Sequence, residues 1–218
     1  MDTYDLKTVM TYAVSAHFQK NEGYANNGTM TNKRIIQSHL GVIPGIQTLF
    51  VDYVTKECED IAENIIQYYK GLTFKAMGAK INDFEQKVLA IIQRGQCDRG
   101  DIGIIASLPK AYFRSVKRDD TDNTMRRLSK TSIHMGCEGE DILGTITVLN
   151  CSFIQSLQCH VVNAEMNGNV VAFFTKHGAD HWGERCEIQA KVKRHQTSKF
   201  HGGKETVLNY VKVVNEKN

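Results

Sequence analysis

The sequence predicts an α+β protein in which an N-terminal helical module precedes a five-stranded β-barrel. Two changes of pattern along the chain carry that prediction. Through residues 47–118 apolar residues recur every three or four positions, the period of one helix face. Beyond residue 130 β-branched residues become frequent and apolar residues alternate with polar ones, the period of a half-buried strand. A third observation fixes a turn: Asn167-Gly168 lies between two apolar runs, and that dipeptide suits the positive φ angles of a two-residue hairpin.

The elements follow in order. Residues 1–46 carry the weakest pattern: a short helix over 6–18, then the Asn-, Gly- and Thr-rich stretch 21–32, which reads as an exposed loop. Phe50, Val54, Cys58, Ile61, Ile65 and Tyr68 share one face of a helix over 47–70, and Gly71 offers an end to it. Phe84, Val88, Ile91 and Ile92 define a second helix over 82–94, closed by Gly95 at a position that favours a residue tolerant of positive φ. A third starts near Asp98 or Asp101, carries Ile102, Ile105, Tyr112 and Val116, and is expected to kink or divide at Pro109. Residues 118–130, RDDTDNTMRRLSK, are polar and aperiodic, which places a linker over 119–130 between a helical module at 47–118 and a barrel at 131–218.

Strands are expected over 141–150, 157–166, 170–175, 186–194 and 205–214. In the fourth, Ile188, Ala190 and Val192 take one side and Glu187, Gln189, Lys191 and Lys193 the other. In the fifth, Val207, Val211 and Val213 share a face. Five strands with a non-strand insert at 177–184 between the third and fourth give the element order of an OB fold. An SH3-like barrel or a small open sheet would use similar strings.

Composition narrows the classes. The chain has 218 residues, 41% hydrophobic and 23% charged, with two prolines and a net charge of +3, which is the profile of a globular protein. No apolar run approaches the roughly 18 residues of a membrane span, and the first ten residues lack the basic and apolar regions of a signal peptide. The six cysteines (Cys58, Cys97, Cys137, Cys151, Cys159 and Cys186) are dispersed with no CxxC pair, so reduced thiols and a cytoplasmic location are expected.

Residues 186–214, CEIQAKVKRHQTSKFHGGKETVLNYVKVV, resemble the end of an OB-like module of bacteriophage proteins. There a strand ending in a basic cluster leads through an aromatic-Gly loop to a short T-x-L-N-x-V-K-V strand. The stretch AIIQRGQCDRGDIGIIASLPKAYFRSV resembles the helical segment that precedes that module, so the resemblance covers about residues 80–214. It implies handling of single-stranded nucleic acid in phage replication or recombination, in the host cytoplasm. Some relatives carry an upstream zinc-binding cysteine cluster, which this chain lacks, and it shows no long acidic C-terminal tail of the kind bacterial single-strand binding proteins use to recruit partners.

From the residues themselves, the strongest candidate site is 188–204. It holds Lys191, Lys193, Arg194, Lys199, Lys204, two histidines and Phe200, and no acid. Alternate lysines on a strand and a ring in a Gly-rich loop could track phosphates and stack a base; a solvated edge strand would look the same. Tyr210 falls on the polar side of the fifth strand. Lys191, Lys193, Phe200 and Tyr210 are therefore expected to line one groove, with Arg194, Lys199 and Lys204 adding charge. Lys110, Arg114, Lys117, Arg118, Arg126, Arg127 and Lys130 could extend the track, or complement a helix dipole. Residues 131–218 hold nine Lys/Arg and nine Asp/Glu, so only local segregation of charge favours an acidic partner.

Other constellations are weaker. His177 and His181 could share a metal only on a helical turn, and Gly178 and Gly183 argue for a loop. Cys159 and His160 point to opposite faces of a strand. Gly202-Gly203-Lys204 lacks the first Gly and the Ser or Thr of a P-loop, since Ser198 and Glu205 occupy those places. Asp119, Asp120 and Asp122 read as a solvated linker rather than a cation site. No catalytic motif, cofactor or metal is expected, and the balance leans away from an enzyme. The sequence thus points to a non-catalytic single-stranded DNA- or RNA-binding protein without a membrane association, with a homo-oligomer through the helices as a further expectation. The alternatives are a phage interaction or assembly protein docking a protein partner through the helical module, or a nuclease whose site no motif reveals.

Overall fold

A computed structural model describes residues 2–20, 23–28, 30–42, 54–76, 82–198 and 201–214, which fall into two compact units divided between Val116 and Lys117. Among the described residues no helix is long and apolar enough to cross a membrane.

The first unit is helical. Helix α1 (Leu6–Gln19) starts where Asp5 accepts the Thr8 N–H, and its Val9, Met10, Ala13 and Val14 are wholly buried. Helices α2 (Asn32–His39) and α3 (Lys56–Ala76) pack against it, and α4 (Asp83–Arg94) packs against α3. Around α1 the core collects Ile35 and Ile36, Ile65, Val88, Ile102 and Ile105. Helix α4 has the start and stop that its sequence announces: Asn82 and Glu85 form a reciprocal capping box, and Gly95 ends the helix at φ +65°. A two-stranded antiparallel sheet, which the sequence did not announce, pairs β1 (Thr3–Asp5), just before α1, with β2 (Gln96–Asp98), just after α4.

Three expectations need correction. Gly71 does not end α3; the helix continues to Ala76, because a single glycine costs only about 1 kcal/mol in a helix. The expected start of that helix, residues 47–53, lies outside the described residues. Pro109 does not divide α5, which runs from Ile102 to Thr131. The proline forfeits one hydrogen bond to the preceding turn, but Ile105, Ala106 and Leu108 around it are buried and Tyr112 packs on the same cluster, so burial offsets the loss. Residues 118–130 are accordingly helix rather than linker. Between Lys110 and Thr131 no glycine or proline interrupts the chain, and Met125 is 4% exposed, so one buried contact anchors a segment with little amphipathic pattern.

The second unit contains a closed barrel of β3 (Asp141–Ile154), β4 (Cys159–Met166), β5 (Asn169–Thr175), β6 (Arg185–Thr197) and β7 (Lys204–Val213). Its order is β3-β4-β5-β7-β6, closing back onto β3, with β5 and β7 parallel and every other pair antiparallel. The α+β class, with helices before a five-stranded barrel, is as the sequence predicts, and the barrel is compatible with an OB-like fold. Asn167 and Gly168 both take positive φ, 50° and 77°, in the β4–β5 turn. The insert between β5 and β6 forms a single helical turn, α6 (Ala179–Trp182). Trp182 from it lies 2% exposed, its ring edge-on to Phe173 at 4.9 Å, within the barrel core of Ile146, Val162, Ala164, Ile188 and Leu208.

Candidate nucleic-acid interface

Strand alternation sends Val162 and Ala164 of β4, and Val171 and Phe173 of β5, into the barrel core. Their neighbours Val161, Asn163, Ala172 and Phe174 line a cleft of about 640 Å³ on the outer surface of the barrel. Two irregularities decide what else enters it. The β3–β4 register shifts between Val148 and Asn150, leaving Leu149 as an extra residue. Val148 packs on the core with Ile146, but beyond the bulge Asn150, Ser152 and Ile154 line the cleft instead of continuing inward. The second shift, between Val192 and Arg194 in the β6–β7 ladder, leaves Lys193 as the extra residue. Val192 is in the core; past the bulge Arg194, Gln196 and Ser198 line the cleft.

The remaining walls come from Glu205 and Val207 of β7, His201 of the preceding loop, and Asp122 and Arg126, four apart on α5. The last turns of α5 are tied to the barrel. Thr121 Oγ1 is 3.3 Å from the Leu149 carbonyl at the bulge, and Ser132 Oγ donates to the Lys204 carbonyl while accepting the Val170 N–H. Gly203 lies so close to Ser129 that a Cβ there would collide with its backbone.

Along the cleft a directed chain of hydrogen bonds runs from Arg194 Nε to Gln196 Oε1 (3.0 Å) and from Gln196 Nε2 to Glu205 Oε1. Apolar surface from Ile154, Val161 and Phe174 adjoins this polar row, and Phe174 is 50% exposed. The site thus offers a ring face, amide groups from Asn150 and Asn163, two guanidinium groups and two carboxylates, with no net charge before His201 is counted.

Of the seven residues singled out from the sequence, five are described, and among those five Arg194 alone lines the cleft. Lys191 is engaged elsewhere, pairing with Asp141 at 3.1 Å and donating to the Gly139 carbonyl. Lys193 is the exposed bulge residue, so it does not share a regular face with Lys191. Lys204 is exposed at the start of β7, six residues from Tyr210, or about 20 Å along a strand. Tyr210 is 72% exposed with φ +52°, at a third register shift, where β7 carries an extra residue opposite Gln189–Lys191. That shift also separates Val207, in the cleft, from Val211 and Val213, which pack on the core, so the three valines do not share a face. Lys199 and Phe200 lie outside the described residues; their neighbours Ser198 and His201 both border the cleft. Arg126 was legible as part of a basic stretch. Phe174, Glu205 and the amides carried no signal beyond strand alternation, because their faces depend on the bulges.

His177 and His181 stack face to face at 4.1 Å, as His134 and His195 do at 4.5 Å, and among the described residues no group of three His, Cys, Asp or Glu side chains is arranged to hold a metal ion. No disulfide joins any of the six cysteines; Cys58 and Cys97 are buried and Cys137 is exposed.

Comparison with protein-family models, with curated proteins and with solved structures returns no match for this chain.

Proposed function

We propose that this protein binds single-stranded nucleic acid without catalysis, using the outer cleft of the barrel. One observation carries the reading: a half-exposed aromatic ring, amide side chains and two arginines line a single cleft on an OB-like barrel. Stacking on a ring is sequence-tolerant and arginines engage phosphate, the combination by which such barrels take single strands. Flexible strands suit the site because their bases are unstacked and free to enter a cleft, whereas a duplex presents only its grooves. The proposal rests on the cleft and not on the resemblance of residues 186–214 to phage proteins.

The test is fluorescence anisotropy of a labelled single-stranded oligonucleotide titrated with the protein from 50 to 300 mM salt. Binding with a negative log–log salt slope is expected; Arg126→Ala is expected to flatten that slope by about 0.7, the contribution of one phosphate contact on a single strand, and Arg194→Ala to weaken binding. Lys191→Ala is expected to leave the slope nearly unchanged, since that ammonium is already paired with Asp141. No binding, or binding indifferent to both arginines, refutes the proposal.

A further inference from the structure

Glu205 is the least expected group in the cleft. Its residue is 6% exposed, among the few buried charged or polar residues of the barrel. Yet its carboxylate has no ion pair with any described residue and a single side-chain hydrogen bond, from Gln196 Nε2 to Oε1. A carboxylate withdrawn from water calls for donors that replace the water it has lost. Oε1 has one and Oε2 has none among the described residues, and the residue lines the cleft. A ligand seated here therefore meets an anionic acceptor. Two residues away on the facing strand, about 6.6 Å along the ladder, Arg194 offers donors: its Nε is committed to Gln196 Oε1, and its two terminal nitrogens make no hydrogen bond to a described residue. Gln196 sits between the two with its orientation fixed, since its oxygen accepts from Arg194 and its nitrogen donates to Glu205.

We propose that this row selects guanine within a bound single strand, the Glu205 carboxylate accepting the N1–H and N2–H of its Watson–Crick edge and Arg194 donating to O6. The inference rests on the nucleic-acid reading above and adds a base preference to it. The polarity of the row decides among the bases. Guanine presents acceptor, donor, donor along that edge, matching a guanidinium at one end and a carboxylate at the other. Thymine and uracil place a carbonyl on each side of one N–H, so a carboxylate taking that N–H faces a second oxygen. Adenine and cytosine present one amino group each beside an unprotonated ring nitrogen, which a carboxylate repels. The edge of guanine is also free only in a single strand, since pairing consumes it. Phe174 and the apolar surface of Val161 and Ala172 adjoin the row and supply a face for the ring.

Anisotropy on the full chain with fluorescein-labelled nonamers tests this: nine thymines, and the same strand with one central guanine, adenine, cytosine, hypoxanthine or 7-deazaguanine. The guanine strand is expected to bind at least about tenfold tighter than all-thymine, the scale of one good bidentate base contact. Hypoxanthine, which lacks the 2-amino group, is expected to lose most of that gain. 7-Deazaguanine, whose Watson–Crick edge is intact, is expected to keep it. In Glu205→Gln, an isosteric change that still accepts from Gln196, the guanine-to-thymine ratio is expected to fall toward one. Equal affinity of the wild-type protein for guanine and thymine strands overturns the inference while leaving the binding function standing, as does a guanine preference that hypoxanthine retains or that Glu205→Gln leaves intact. If no nonamer binds, the nucleic-acid reading falls and the base preference with it. Should Glu205→Gln fail to fold, the hypoxanthine and 7-deazaguanine strands decide the question on the wild-type protein.

Discussion

Phe173 and Phe174 are adjacent on β5 and face opposite ways, so the same truncation at each has opposite expected consequences. Phe173 is wholly buried with Trp182 edge-on at 4.9 Å. Phe173→Ala removes a large core side chain, which costs about 3–5 kcal/mol including the cavity left behind. Domains of this size have roughly 5–15 kcal/mol in all, and about 4–8 °C of Tm is lost per kcal/mol, so the barrel is expected to melt on the order of 15 °C or more below wild type. Phe174 is 50% exposed and lines the cleft. Half of a phenylalanine's burial is worth about 1 kcal/mol, so Phe174→Ala is expected to shift melting by only several degrees while weakening single-strand binding by about 1–3 kcal/mol through lost stacking, roughly 5- to 150-fold in Kd. The chain has a single tryptophan, Trp182, placed in the barrel core, so intrinsic fluorescence reports unfolding of this unit. Anisotropy at fixed salt reports binding per folded molecule. If Phe174→Ala destabilises as much as Phe173→Ala, the two faces of β5 are assigned wrongly. If Phe174→Ala stays folded and binds normally, the ring is no stacking platform and the cleft loses its main support.

Two further outcomes concern the helical unit. Burial, with smaller contributions from Asp101 and Asp98, pushes the Cys97 thiol up to about 11, and burial, followed by Tyr68 and Glu85, pushes the Tyr69 phenol up to about 12. Both groups are kept neutral by folding, while in the unfolded chain they ionise near 9 and 10. Above those values the unfolded state binds fewer protons than the native state, so stability falls as pH rises. The urea midpoint read by far-UV circular dichroism should drop between pH 9 and 11, and Cys97→Ala should remove the earlier part of the drop; a profile flat from pH 8 to 11 refutes the assignment. Gly71 stands inside α3 with open space where a Cβ would go, so Gly71→Ala should stabilise the unit by about 1 kcal/mol, whereas a glycine that terminated the helix at positive φ would make the same change destabilising.

How much was legible depended on how local the determining interaction was. Helix α4 was readable at both ends because Asn82, Glu85 and Gly95 act within their own turns. The Asn167-Gly168 hairpin was readable for the same reason, since its φ angles belong to those two residues. The second half of α5 was not. Residues 118–130 are held helical by a few contacts to distant partners, including Thr121 at the Leu149 carbonyl and the buried Met125, and no sequence period records them. Helical propensity differs by only tenths of a kcal/mol among such polar residues, so tertiary contacts override it.

The α+β class, the succession of helices by five barrel strands, and the basic character of the stretch that contains Arg194 were legible along the chain alone, because side-chain period and turn chemistry are properties of neighbouring residues. Which cations and rings meet was decided only by the tertiary structure. One extra residue at Leu149 turns Asn150, Ser152 and Ile154 outward, one at Lys193 gives the cleft to Arg194, and one near Tyr210 parts Val207 from Val211 and Val213. A strand repeats every two residues, so a single inserted residue exchanges its two faces, and the ladder that accommodates the insertion is formed with a partner strand far away in the chain.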